Sequence, residues 1–172
     1  PTVSPFRDVK VTDPFYKEIT WLAASGISGG WDMGNGKKEY RPGLNITRDA
    51  MAVFLYRYAK ITTFTPPATS PFVDVPTSNG FYKEIAWMAS TGITTGYDLP
   101  GGKKEFRPFN PITRDAMAVF LYRYAGKPAF TPPATSQFVD VPTSNGFYRE
   151  IAWMASTGVT TGWDAGGGRK EF

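Results

Sequence analysis

A period of 66 residues constrains this chain more than any other feature. Phe6, Phe72 and Phe138 each open a Phe-x-Asp-Val segment at that spacing. "FYKEITWLAASGISGGWD" (15–32) returns as "FYKEIAWMASTGITTGYD" (81–98) and "FYREIAWMASTGVTTGWD" (147–164). "KKEYRPGLNITRD" (37–49) returns as "KKEFRPFNPITRD" (103–115), and the third copy reaches "RKEF" (169–172). A fixed period of this kind is the mark of a repeat architecture, in which each unit buries its apolar face on a neighbour. The expected modules are 1–64, 65–130 and 131–172, the last cut short before its second helix. The chain starts at Pro1 without a signal peptide, as expected of a mature segment or an excised fragment.

Each copy reads as helix, loop, helix. The first helices are expected near 14–25, 80–91 and 146–157, with Asp13, Asn79 and Asn145 as N-caps. Phe15, Ile19 and Leu22 would share one face. Gly26, Gly92 and Gly158 suit the left-handed position that ends a helix. A glycine-rich loop follows, held extended by Pro42 and Pro108 before a second helix at about 48–59 and its repeat. Met51, Phe54, Leu55 and Tyr58 would form its buried face. The proline-rich stretches 62–70 and 129–136 read as semi-rigid spacers. Trp21, Trp87 and Trp153 suggest that the three first helices meet around a pseudo-threefold axis. The fold class expected is mainly α.

Composition narrows the function. The chain has neither His nor Cys, so it lacks the commonest general base, the commonest metal ligand and any thiolate. No cofactor or metal is expected, since no run of acids has calcium-loop spacing. Carboxylate chemistry stays open, but three copies of one site suit binding better than catalysis. A net charge of +4 fits an anionic partner and is modest for nucleic acid, which is not expected as a ligand. No apolar run is long enough to span a bilayer, so membrane insertion is not expected either.

One local rule is broken twice. Thr47 and Thr113 should begin the second helices, which makes Arg48 and Arg114 the first helical residues. A cation there faces the positive end of the helix dipole. Such an end, with its free N–H groups, is also an anion site, and a guanidinium can grip a carboxylate with two parallel bonds. The competing reading pairs these arginines with nearby surface acids.

The combined pattern resembles the S-layer homology module. The residues that carry the resemblance in the first copy are Phe6, Asp8, Val9, Ile19, Leu22, Gly26, Ile27, Gly30, Tyr40, Pro42, Ile46, Thr47, Arg48 and Leu55. It implies three modules assembled as a pseudo-trimer with loop-rich prongs. It also implies a secreted, non-enzymatic protein of the bacterial cell wall or S-layer, anchored non-covalently. The implied partner is an anionic secondary cell-wall polysaccharide bearing pyruvate, with the arginine of Thr-Arg-Ala-Glu as a key contact. This chain has Thr-Arg-Asp-Ala instead, so Ala50 and Ala116 cannot close a capping box. Asp49 and Asp115 favour the dipole in partial compensation.

On this reading the ligand-binding candidates are Arg48 and Arg114 with Thr47 and Thr113. Gly30, Gly96 and Gly162 serve turn geometry and close approach to a sugar. Trp31, Tyr97 and Trp163 are core plugs or platforms for a sugar ring, and Asp32, Asp98 and Asp164 would bond hydroxyls. The basic pairs Lys37–Lys38, Lys103–Lys104 and Arg169–Lys170 would raise the local potential. Asp8, Asp74 and Asp140 are expected to brace the module start. The alternative function is a surface protein–protein interaction or S-layer assembly module, and a neighbouring chain is expected to cover any apolar face left bare in the third copy.

Overall fold

The computed structural model describes residues 1–172. It is built of helices joined by short antiparallel ribbons, in two compact units: 1–88 with 96–111, and 89–95 with 112–172. The first unit holds α1 (Tyr16–Ala24), β1 (Trp31–Asp32), β2 (Lys38–Glu39), α2 (Arg48–Tyr58), most of α3 (Tyr82–Ser90), β3 (Tyr97–Asp98) and β4 (Lys104–Glu105). The second holds α4 (Arg114–Tyr124), α5 (Tyr148–Ser156), β5 (Trp163–Gly166) and β6 (Arg169–Glu171). The glycine-rich loops are thus hairpins, pairing Trp31 with Glu39, Tyr97 with Glu105 and Trp163 with Glu171.

The first helices begin later than the sequence suggests. Asn79 and Asn145 accept the N–H of Phe81 and Phe147 at 2.8 Å, which makes a side-chain turn just ahead of the helix. Asp13 accepts from Lys10 N–H at 2.8 Å. None of the three caps a helix. Phe15 sits in the left-handed region with φ 61° as the residue before α1. The shift turns the buried face: Phe15 is 72 % exposed, while Tyr16 and Ile19 are buried. On α2, Met51 and Leu55 are buried as expected, joined by Ala52, Val53 and Tyr56, whereas Tyr58 is exposed. The C-terminal signal holds. Gly26 follows α1 with φ 70°, and the N–H groups of Gly26 and Ile27 bond back to Ala23 and Leu22.

Each first-helix tyrosine is tied to the linker before it. Tyr16, Tyr82 and Tyr148 donate their hydroxyls to the carbonyls of Pro1, Pro67 and Pro133 at 2.9, 2.6 and 2.8 Å. The prolines therefore act as anchor points and not merely as spacers. Phe6, Phe72 and Phe138 pack on Tyr40, Phe106 and Phe172 with ring centroids 5.3 to 5.5 Å apart, closing each hairpin on its own module start. Burying one such side chain contributes about 1.5–3 kcal/mol.

Within the units, second helices pack on the first helix of the following copy. Tyr56 of α2 meets Trp87 of α3 edge-on at 5.4 Å, and Tyr122 of α4 meets Trp153 of α5 at 5.3 Å. The tryptophans differ in environment for this reason: Trp87 is 6 % exposed and Trp21 is 53 % exposed. In the third copy α5 is well buried against α4, but Val159 is 62 % exposed where its counterparts Ile27 and Ile93 are buried. Arg57 and Arg123 lie over those two isoleucines, donating to their carbonyls at 3.0 and 3.3 Å. The bare surface of the third copy is thus the turn after α5.

Candidate ligand-binding site

The frame of the site is set by an aspartate in each copy. Asp8 accepts the N–H groups of Tyr40 and Arg41 at 2.9 and 2.7 Å. Asp74 does the same for Phe106 and Arg107 at 2.8 and 2.6 Å, and Asp140 accepts from Phe172 at 2.8 Å. These are braces, as expected. Burial alone would raise the Asp8 carboxyl, yet the N–H bonds from Tyr40 and Arg41 and the Arg41 charge hold it below its ordinary value.

The brace sets the start of the stretch that follows, and in the first unit that stretch lies across the start of α2. The N–H groups of Arg48 and Asp49 donate to the carbonyls of Asn110 and Pro108 at 3.0 and 3.1 Å. Thr47 forms an antiparallel bridge with Pro111. The Arg48 side chain donates from Nε to Phe106 O at 2.8 Å, with its guanidinium 4.9 Å from the ring centres of both Tyr97 and Phe106. Three carbonyls therefore gather at this helix start. Their partial negative charge offsets the conflict between a cation and the dipole. Arg48 is 4 % exposed. Burial lowers its pKa, with the Arg107 charge acting in the same direction.

The second unit repeats the pairing in a more open form. Arg114 begins α4 with its guanidinium 4.8 Å from the Phe172 ring centre and 5.7 Å from that of Trp163. It is exposed. The stretch that covers Arg48, residues 107–111, returns at the 66-residue period as 41–45 and in no third copy within residues 1–172. In both units the arginine of one copy meets the aromatics of the next. Stacking uses the face of a guanidinium and leaves its in-plane N–H groups for hydrogen bonds, one of which Arg48 gives to Phe106 O.

The threonines begin the helices but do not cap them. Thr47 and Thr113 donate their hydroxyls to Asp49 and Asp115, whose carboxylates also accept the N–H groups of Ala50 and Ala116 at 2.7 and 2.6 Å. The aspartate of Thr-Arg-Asp-Ala thus takes the Ala50 and Ala116 N–H groups that a capping threonine hydroxyl would otherwise accept.

Gly30, Gly96 and Gly162 have φ of 66°, 67° and 70°. A Cβ at Gly96 would lie 2.5 Å from Phe72 Cε1 and 2.8 Å from Glu105 O, and the other two are equally confined. Turn geometry and close packing are thus sufficient reasons for glycine. Trp31, Tyr97 and Trp163 stand partly exposed on the first strands of the hairpins. Arg41 lies 4.8 Å over Trp31 and Arg107 lies 4.1 Å over Tyr97, each also bonded to a glutamate of its own hairpin, Glu39 and Glu105. These hairpin arginines escaped sequence reading, although each directly precedes the proline at 42 or 108. Asp32 and Asp164 accept the N–H groups of Gly34 and Gly166 at 2.8 Å, and Asp98 pairs with Lys104 at 2.5 Å. All three have a local structural role at the hairpins.

Repeated helix–ribbon–helix copies, with an arginine–aromatic pairing carried from copy to copy, define a tandem-repeat module. A family model of the S-layer homology domain matches residues 5–52 and again 71–118, and the chain belongs to that family. Its domains are binding and anchoring modules associated with the cell wall at the cell surface. No curated protein matches the chain.

Proposed function

We propose that the chain anchors a surface protein non-covalently by binding an anionic secondary cell-wall polysaccharide, with a pyruvyl carboxylate as the recognised charge. The observation that carries this reading is Arg114: exposed at the start of α4, with its guanidinium over the rings of Phe172 and Trp163. A carboxylate in the plane of that guanidinium would gain two charge-assisted bonds. The Trp163 face would lie under the attached sugar ring, with Gly162 allowing close approach of the backbone. Asp164 would bond a hydroxyl, and Thr113 would border the site.

Arg48 with Tyr97, Gly96, Asp98 and Thr47 forms the related site of the first unit, already closed over by residues 106–111. The first copy contributes Trp31, Gly30 and Asp32 with Arg41 in place of a second-helix arginine. The modules 1–64, 65–130 and 131–172 would act together as a pseudo-trimer. The competing assembly role would need no arginine.

The test is calorimetric titration with purified wall polysaccharide, native and after chemical removal of pyruvate. A charge-assisted bond contributes about 1.5–3 kcal/mol. Arg114→Ala should therefore weaken one site roughly 10- to 100-fold. Binding that survives both pyruvate removal and Arg114→Ala would overturn the proposal.

A further inference from the structure

A second cluster of cations stands at the far end of α4, about 14 Å along the helix from Arg114. Arg123, Lys127 and Arg149 line a cleft of about 430 Å³ together with Glu150, and Pro128 and Phe130 form its apolar wall. The three cations come from separate places: the last turn of α4, the linker after it and the first turn of α5. Set against one acid, they leave a surplus of two positive charges. None of the three is in ion-pair contact with a carboxylate. Arg123 gives one N–H to Ile93 O at 3.3 Å, and the Lys127 and Arg149 side chains have no hydrogen-bond partner. Lys127 is also strained, with φ 53° in the left-handed region. Two bonds hold it there. Its N–H donates to Tyr122 O at 3.0 Å, and the Tyr122 hydroxyl donates to Pro128 O at 2.8 Å. The first unit lacks this arrangement. Its equivalent positions are Arg57, Ile61, Lys83 and Glu84, so one cation is missing, and Lys83 lies over the Tyr56 ring, 5.6 Å from its centre.

We infer that this cleft binds a phosphomonoester, its phosphate among Arg123, Lys127 and Arg149 and its carbon skeleton against Pro128 and Phe130. Charge and geometry both select phosphate over carboxylate. The surplus of two positive charges matches a phosphomonoester, which is close to a dianion at neutral pH. Donors from three chain segments match the three terminal oxygens of a tetrahedral group, whereas one guanidinium fork already satisfies a planar carboxylate. Glu150 repels a bare phosphate but can accept a hydroxyl of an attached skeleton, which favours the ester over the free ion. The strain at Lys127 fits the same role, since non-glycine residues held in the left-handed region gather at ligand clamps. The inference does not rest on polysaccharide binding, because Arg114 and Trp163 take no part in it.

The test titrates glycerol 1-phosphate, inorganic phosphate and acetate separately into the intact chain at neutral pH. The arginine Nε–H signals are followed by NMR and assigned from the arginine variants. Saturable shifts at Arg123 and Arg149 are expected with glycerol 1-phosphate. Inorganic phosphate should bind more weakly, and acetate roughly tenfold more weakly still. Lys127→Gln and Arg149→Gln should each weaken binding about tenfold or more, as the loss of a charge-assisted bond predicts. Arg149→Lys, which keeps the charge, should retain most of the affinity. Both side chains are exposed and unpartnered, so melts of these variants should match wild type and exclude misfolding as the cause. Absence of saturable shifts, acetate binding as tightly as the ester, or curves indifferent to both glutamine variants would overturn the inference. Equal affinities for the ester and inorganic phosphate would overturn the assignment to an ester and leave free phosphate as the ligand. An Arg114 signal that moves along the same curve would reduce the effect to general attraction of anions and overturn the site.

Discussion

Arg48 Nε donates to the carbonyl of Phe106, 2.8 Å away and 58 residues further along the chain. This one bond couples the second helix of the first copy to the hairpin of the next. It makes Arg48 a structural clamp, whatever it binds. Arg114 has the same local sequence and lies on rings without such a bond.

The two arginines should separate in mutation. Arg48→Ala removes a buried charged donor and leaves Phe106 O without it, at a cost of about 1.5–3 kcal/mol of stability. Arg114→Ala, at an exposed position, should change stability by no more than about 0.5 kcal/mol. Urea unfolding of both variants, beside wild type, measures the difference. Equal effects would show that the Arg48 clamp is not used.

The hairpin glycines should tolerate no side chain. Gly96→Ala forces a methyl to within 2.5 Å of Phe72 and into a left-handed backbone. The backbone strain alone costs about 1–3 kcal/mol. Gly92→Ala keeps the strain without the clash, since no atom lies within 4 Å of its Cβ position. Thermal melts should rank wild type above Gly92→Ala and Gly92→Ala above Gly96→Ala.

Tyr56 and Tyr122 occupy equivalent positions with opposite prospects. Tyr122 donates to Pro128 O at 2.8 Å, whereas the buried Tyr56 hydroxyl has no hydrogen-bond partner. Tyr122→Phe should cost about 0.5–1.5 kcal/mol, and Tyr56→Phe should be neutral or stabilising. Denaturant midpoints of the two phenylalanine variants test this directly.

Acid should loosen the first copy through Asp8. Its carboxyl is held below the ordinary value of 3.8, so in acid the unfolded chain binds this proton first. Stability from the brace is complete above that value and is lost as pH falls through the lower folded value. Melting temperatures between pH 6 and 2.5 should fall less steeply below pH 4 in Asp8→Asn than in wild type. The variant starts lower because an amide replaces one N–H acceptor with a donor.

The repeat, the helices, the closing glycines and the bracing role of Asp8, Asp74 and Asp140 were all legible in the residues, because each follows from local chemistry copied at a constant interval. Helix starts were less legible. Asn79 looks like a cap in sequence, but its carbonyl oxygen can equally take the N–H two residues on, and that choice depends on where Tyr82 is pulled by Pro67 O. The helices start about two residues later than expected, at Tyr16, Tyr82 and Tyr148, which leaves Phe15 outside α1; it is exposed while Tyr16 is buried.

The sequence by itself determined the 66-residue repeat and placed an arginine at each second-helix start, since dipole, turn and periodicity arguments need only near neighbours. Only the tertiary structure decided that Arg48 is sealed beneath residues 106–111 while Arg114 stays open, and that Trp87 is buried while Trp21 is not. Near-identical local segments cannot encode that difference. It arises from whether a segment dozens of residues away lies across them, removes their water and supplies their acceptors.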